Sequence, residues 1–332
     1  MRIARRLSIL ACVGLLTACG GSGGGDGGGD ASAPGGRRSF LSIGTAPVVG
    51  GFYLVGGALA EVLNENQGPI QWDVTAEATK GSQENIRRLA QGQIELAMSN
   101  SAITYHAVRG ESGWEQPYDV KVVMTLAPNV AQFISKKGSG IESLSDLAGN
   151  RVAVGPAGAG FEQFVGPLLA AHDLTYDDFS PINATQSASV DMLKDGTAVA
   201  AFLGGAVPHP AITQASATLD VQFLPYAETA REELTEAYAF FWPVNVPAGT
   251  YKSQDADFPG MNVGSMHLIT SGDQDEELVY EVTKTIWENR AAVVQRTATG
   301  RAINEGNVAR NTGTDFHPGA IRFYQEIGVW TE

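Results

Sequence analysis

The chain has 332 residues, 36 acidic and 22 basic, and a formal net charge of −14. An acidic chain without a basic stripe excludes nucleic acid as a partner, and two cysteines and five scattered histidines give no metal-ligand cluster. About 300 residues of mixed composition are ample for one or two domains, each with its own core.

Arg2, Arg5 and Arg6 precede an apolar run over residues 7–16. A membrane-spanning helix needs ~20 such residues, so the run is too short to span. Followed by Leu16-Thr17-Ala18-Cys19, it reads as a secretory leader over residues 1–18 that resembles the cleavage signal of bacterial lipoproteins. Cys19 is then the acylated first residue, and the mature protein is expected to be a membrane-anchored lipoprotein of the bacterial periplasm. Cys12 leaves with the leader, so no disulfide remains. Loss of the three arginines lowers the charge from −14 to −17. Ten of the seventeen residues 20–36 are glycine, so residues 19–39 are expected to be the acylated Cys and a flexible tether.

An apolar strand at 40–43 runs into Gly44-Thr45-Ala46-Pro47-Val48-Val49-Gly50-Gly51-Phe52-Tyr53 and a helix with Val55, Leu59, Val62 and Leu63 on one face. A second strand at 72–76 runs into Thr79-Lys80-Gly81-Ser82-Gln83-Glu84-Asn85 and a helix carrying Ile86 and Leu89. Glycine lets the backbone turn sharply at a strand end, and the helix that follows aims free N–H groups at the same place. Two such turns make a candidate anion site. Neither has dinucleotide-fingerprint or phosphate-loop spacing.

Further strands are expected at 94–99, 120–126, 151–154, 199–203, 221–224 and 266–269. Helices are expected near 161–169, 188–193, 278–294 and 320–327. The alternation is that of an α/β protein with largely parallel sheets. Gly155-Pro156-Ala157-Gly158-Ala159-Gly160-Phe161 is a third glycine turn, in a second domain. Helix N-termini facing a cleft from two α/β domains predict a two-domain clamshell of the type II periplasmic-binding-protein kind, with a hinge. Domain I takes 40–130 plus 262–332, and domain II takes 131–261.

The chain resembles the solute receptor of a TRAP transporter of the TAXI type (TRAP-associated extracytoplasmic immunogenic protein). The resemblance rests on Gly44-Thr45 with Gly50-Gly51 and Tyr53, on Gly81-Ser82 with Asn85, and on Gly140-Ile141 through Asp146-Leu147 and Gly149. It rests also on Ala206-Val207-Pro208-His209-Pro210-Ala211-Ile212 and on His317-Pro318-Gly319-Ala320 with Tyr324 and Gly328. It implies capture of a small carboxylate (amino acid, oxoacid or dicarboxylate), delivery to a TRAP permease, and a monomer without cofactor. The alternatives are a receptor for an ABC permease or a signalling partner, or a cleft enzyme. Departures from the family are Lys80 in place of glycine, Ala102 in place of a carboxylate, and Ala159 in place of serine.

The expected ligand contacts are Thr45, Tyr53, Ser82, Asn100 and Ser101 from domain I, and Gly158, Ala159, Gly160, Phe202, Gly204 and His209 from domain II. Asn183 and Gln186, which follow a strand expected near 179–182, are weaker candidates. No nucleophile with an oriented base emerges, since Ser101 and His106 lack a carboxylate partner. No catalytic and no metal-binding residue is assigned.

Overall fold

The computed structural model describes residues 39–48, 50–252 and 254–330. The chain begins as three strand–helix units: β1 (Ser39–Gly44) and α1 (Gly51–Glu65), β2 (Trp72–Glu77) and α2 (Ser82–Ala90), β3 (Leu96–Asn100) and α3 (Ser101–Arg109). β4 (Val120–Thr125) then hands the chain to a second sheet through β5 (Val130–Lys136). There follow β6 (Arg151–Gly155), α4 (Glu162–Ala170), β7 (Ser180–Asn183), α5 (Gln186–Asp195), β8 (Ala200–Gly205) and α6 (Pro210–Thr218). β9 (Val221–Phe223), α7 (Glu228–Ala237), β10 (Phe241–Val246) and β11 (Phe258–Val263) complete that sheet. The chain returns to the first sheet with β12 (Met266–Ser271) and closes with α8 (Glu276–Glu288), α9 (Arg290–Arg296) and α10 (Pro318–Glu326).

The first sheet has the order β2-β1-β3-β12-β4, and the second has the order β10-β11-β5-β8-β6-β7 with β9 beside β5. The fold is thus α/β with two lobes, each built on one sheet. The sheets are mixed, which corrects the expectation of largely parallel ones. β1 pairs parallel with β2 and β3, and β6 with β7 and β8, but β12, β5 and β11 run against their neighbours. β5 and β12 have just crossed from the other lobe and enter from the opposite end, so they pair antiparallel, while β11 turns back beside β10.

The central strands β3 and β8 are buried along their whole length, as expected where both faces are covered by helices. One core cluster joins α1, α8 and α10 to the first sheet through Leu59, Leu63, Trp72, Val279 and Tyr324. The other fills the second lobe and continues without a break onto Ile86, Ile103 and Trp114 of the first. Each such fully buried large side chain contributes ~1.5–3 kcal/mol. His317 caps α10, its ring accepting from the Gly319 N–H at 3.2 Å, with Pro318 in the first helical position.

The two crossings lie side by side. Leu126 N donates to Met266 O at 2.7 Å, Met266 N to Ala127 O at 2.9 Å, and Val263 N to Asn129 O at 2.9 Å. Gly264, in the return crossing, has φ +105°, and a Cβ there would lie 2.2 Å from Asn100 Oδ1. Only glycine lets the crossing pass over the start of α3.

Candidate functional site

A cavity of about 440 Å³ lies between the lobes and is lined from both. From the first lobe come Gly50 and Gly51 at the start of α1, Gly81 and Ser82 at the start of α2, and Asn100 at the start of α3. Residues 50 and 81 are glycine N-caps with no side chain to satisfy the first turn. The opening N–H groups of α1 and α2 therefore lack acceptors in their own helices and present partial positive charge. The Ser82 hydroxyl accepts from Asn100 N at 3.0 Å, which leaves its proton to donate elsewhere.

In the second lobe the starts of α5 and α6 are capped, whereas that of α4, at Phe161, has no side-chain cap. Thr185 Oγ1 accepts from Ala188 N at 3.3 Å at the head of α5. His209 caps α6, its Nδ1 accepting from Ala211 N at 3.2 Å, and its own N–H donates to the Tyr251 hydroxyl at 2.8 Å. Burial lowers the His209 pKa to about 4, so the ring is neutral at neutral pH. Because Nδ1 accepts, the proton sits on Nε2, which has no hydrogen-bond partner among the described residues. Gln186 is fully engaged by β8: its amide donates to Gly204 O at 3.0 Å and accepts from Gly204 N at 3.1 Å.

Among the described residues the lining contains no Asp or Glu, and its one lysine or arginine is Lys80. In a chain of charge −14 this is a marked local exception. Pro47, Phe52, Leu54, Ile103, Phe161 and Met266 supply apolar wall. The cavity can hold a small molecule with an anionic or neutral polar end and an apolar part.

Ser82, Asn100, Ala159, Gly204 and His209 line this cavity together, whereas Thr45, Tyr53, Ser101, Gly158, Gly160 and Phe202 are not part of the lining. Thr45 is wholly buried and donates its hydroxyl to Glu77 O at 2.6 Å. Tyr53 is half-buried on α1. Ser101 is wholly buried, with its backbone N–H on Ser265 O at 2.8 Å. Gly158 sits at the exposed tip of its turn. Gly160 packs against the other lobe: a Cβ on it would lie 2.9 Å from Gln83 Cγ and 3.0 Å from Ile103 Cδ1. Phe202 is core, its ring centroid 5.1 Å from Phe133 and 5.9 Å from Phe164.

Asn100 lines the cavity but its amide is occupied. Oδ1 accepts from Ala102 N at 2.8 Å, and Nδ2 donates to Gly264 O at 2.9 Å and Val263 O at 3.3 Å. Ala102 is fully buried beneath that cap. Ser101 and His106 do not meet, since His106 Nδ1 faces Ser112 Oγ at 3.2 Å. Cys19 and the tether lie outside the described residues.

Sequence reasoning missed Asn129, which lines the cavity from the crossing between β4 and β5, and Thr297 and Thr299, from the segment after α9. Pro128-Asn129, a break between two apolar runs, was the available signal for the first.

Two sheets, two crossings and a cleft fed by helix N-termini define the periplasmic-binding-protein class of fold. Solved structures agree. PhnD1 from Prochlorococcus marinus, solved with methylphosphonate, matches with a TM-score of 0.55 at 10% identity, over 88% of this chain and 99% of that one. A binding-protein component of an ABC phosphonate transporter from Pseudomonas aeruginosa matches at 0.52 and 10%, over 79% of each chain. The periplasmic sulfonate-binding protein SsuA from Methylobacillus flagellatus matches at 0.50 and 13%, over 89% and 88%. At these identities the likeness speaks for the fold.

The family is fixed by sequence: residues 43–328 match the NMT1-like family, and the chain belongs to it. This corrects the TAXI-type resemblance and, with it, the TRAP permease as partner. The motifs behind that resemblance are glycine turns at strand ends and His-Pro helix starts. The backbone geometry of this fold calls for such turns and helix starts.

Proposed function

We propose that the protein is an extracytoplasmic solute receptor that captures a small acid in the cleft and delivers it to an ABC-type permease. The observation that carries this reading is the lining. Among the described residues it holds no carboxylate, it has Lys80 and the uncapped starts of α1 and α2, and it belongs to a strongly acidic chain. Backbone N–H groups and neutral hydroxyls favour an anion locally, where the net charge would repel it at long range. A carboxylate, sulfonate or phosphonate with a short apolar part fits. Fold neighbours that bind sulfonate or phosphonate for ABC transporters support the reading. The leader over residues 1–18, with Cys19 after it, supports a periplasmic receptor held by a lipid. We read no catalytic step.

The test is to purify the protein from its native host, survey co-purified small molecules by mass spectrometry, and titrate the one found by calorimetry. An anion is expected, with a decrease in radius of gyration on binding. At a hundredfold excess over Kd the ligand should add ~2.7 kcal/mol of stability. A neutral or cationic ligand, or release of product from the bound molecule, would overturn the proposal.

A further inference from the structure

Among the described residues, one buried polar side chain of the cleft makes no side-chain hydrogen bond. Asn129 is 9% exposed and lines the cavity, and among the described residues its side-chain amide makes no hydrogen bond. Its backbone is held on both sides: its N–H donates to Asn262 Oδ1 at 2.8 Å, and its carbonyl accepts from Val263 N at 2.9 Å. The backbone that carries the amide is therefore held in place, between β4 and β5, where the chain passes from one lobe to the other. It lies against Gly204: a Cβ there would be 2.9 Å from Asn129 Oδ1. His209 lies against the next residue, Gly205, with its Nε2–H unpartnered.

Both side chains line the cavity, and they differ in kind from the helix starts of the first lobe. Those offer donors alone. Asn129 offers two donors and an acceptor, and His209 one donor. A buried amide left unpaired costs free energy, and an anion satisfies only its donors while facing its acceptor oxygen unfavourably. Both halves of the amide are satisfied by a group that carries a hydrogen and a lone pair together.

The geometry points to Asn129, with His209, as the residues that read a second, uncharged polar group on the ligand, so that the preferred solute is a small acid bearing a hydroxyl or a carboxamide. This rests on the acid-receptor reading above. It also places a ligand contact within the lobe crossing, where binding and lobe closure are coupled.

The test is calorimetry with matched probes: ethanesulfonate against isethionate, which adds a hydroxyl, and butyrate against succinamate, which adds a terminal amide. Wild type should prefer isethionate and succinamate by about tenfold to a hundredfold. Asn129→Ala should abolish that preference, read as the ratio of affinities within each pair. Asn129→Asp keeps the shape of the side chain but removes its donors, and should lose succinamate most; it serves if Asn129→Ala fails to fold. Equal affinity for both members of each pair in wild type would overturn the inference and leave the acid receptor standing. Binding of lactamide with no binding of any acid would overturn the acid reading instead, and the inference with it.

Discussion

The indole N–H of Trp114 donates to Gln163 Oε1 at 3.1 Å, joining the first lobe to α4 of the second. Trp114 is 6% exposed and Gln163 3%, so the bond is shielded from water. Around it, Gln83 donates to Glu162 at 3.0 Å and Gly160 abuts Ile103. This side of the cleft is sealed by direct contact. Trp114→Phe keeps the ring against Tyr118 but leaves Gln163 Oε1 unpaired. It should cost about 1–3 kcal/mol in urea unfolding, and the solution radius of gyration should rise. Unchanged stability and scattering would show that the lobes do not meet there in solution.

Gly160 sets how closely the lobes approach. Its φ of +87° and the short distances a Cβ would make to Gln83 and Ile103 mean that alanine acts on both conformation and space. Gly160→Ala should destabilise the lobe contact by about 1–3 kcal/mol and weaken any ligand that both lobes enclose. Small-angle scattering and calorimetry on the same sample measure the two effects together.

Asn100 ties the start of α3 to the return crossing through one acceptor and two donor contacts. Asn100→Ala removes a helix cap, at about 1 kcal/mol, and unpairs buried carbonyls, at about 1–3 kcal/mol. The expected result is a lower urea midpoint without ligand present. Full stability with lost ligand affinity would instead make Asn100 a direct ligand contact.

Two buried histidines make stability depend on pH. Burial lowers His209 to about 4 and His267 to about 3, from an ordinary value of 6.5. Below that ordinary value the unfolded chain takes up protons that the folded rings refuse. Stability is therefore complete above pH ~6.5 and declines as pH falls, by up to about 1.4 kcal/mol per unit for each ring. The decline from each ring ends when its folded form titrates. His209→Asn keeps an N-cap residue but removes the titration, so its melting temperature should fall less steeply below pH ~6.5 than that of wild type. An equal slope in the two proteins would mean that His209 is already protonated in the fold.

Much of this architecture is written locally. The glycine turns after β1 and β2 and the apolar stripe of α1 are short-range patterns: a sharp strand-to-helix turn needs glycine, and a buried helix face needs apolar residues at helical spacing. They led to two lobes, a cleft, and Ser82 among its walls, and the strand end at Gly204-Gly205 led to His209. Three strands escaped notice because their signals are diluted. β10 carries Pro243, tolerated because the strand is at a sheet edge, and β11 carries Pro259 and Gly260. β5 merges with β4 into one apolar stretch broken at Pro128-Asn129.

The sequence by itself determined the lobes, the anion-friendly turns and membership of a receptor fold. Only tertiary structure decided which polar groups are free. Thr45, Ser101 and Asn100 have the same chemistry as a ligand contact, yet the first is turned to Glu77, the second is shut away, and the third is occupied by Val263 and Gly264, 163 and 164 residues along the chain. Asn129 is open because its neighbour Gly204, on another strand, has no side chain to fill the space. Hydrogen-bond satisfaction is settled by contacts between distant segments, and no local pattern records which donor was left over.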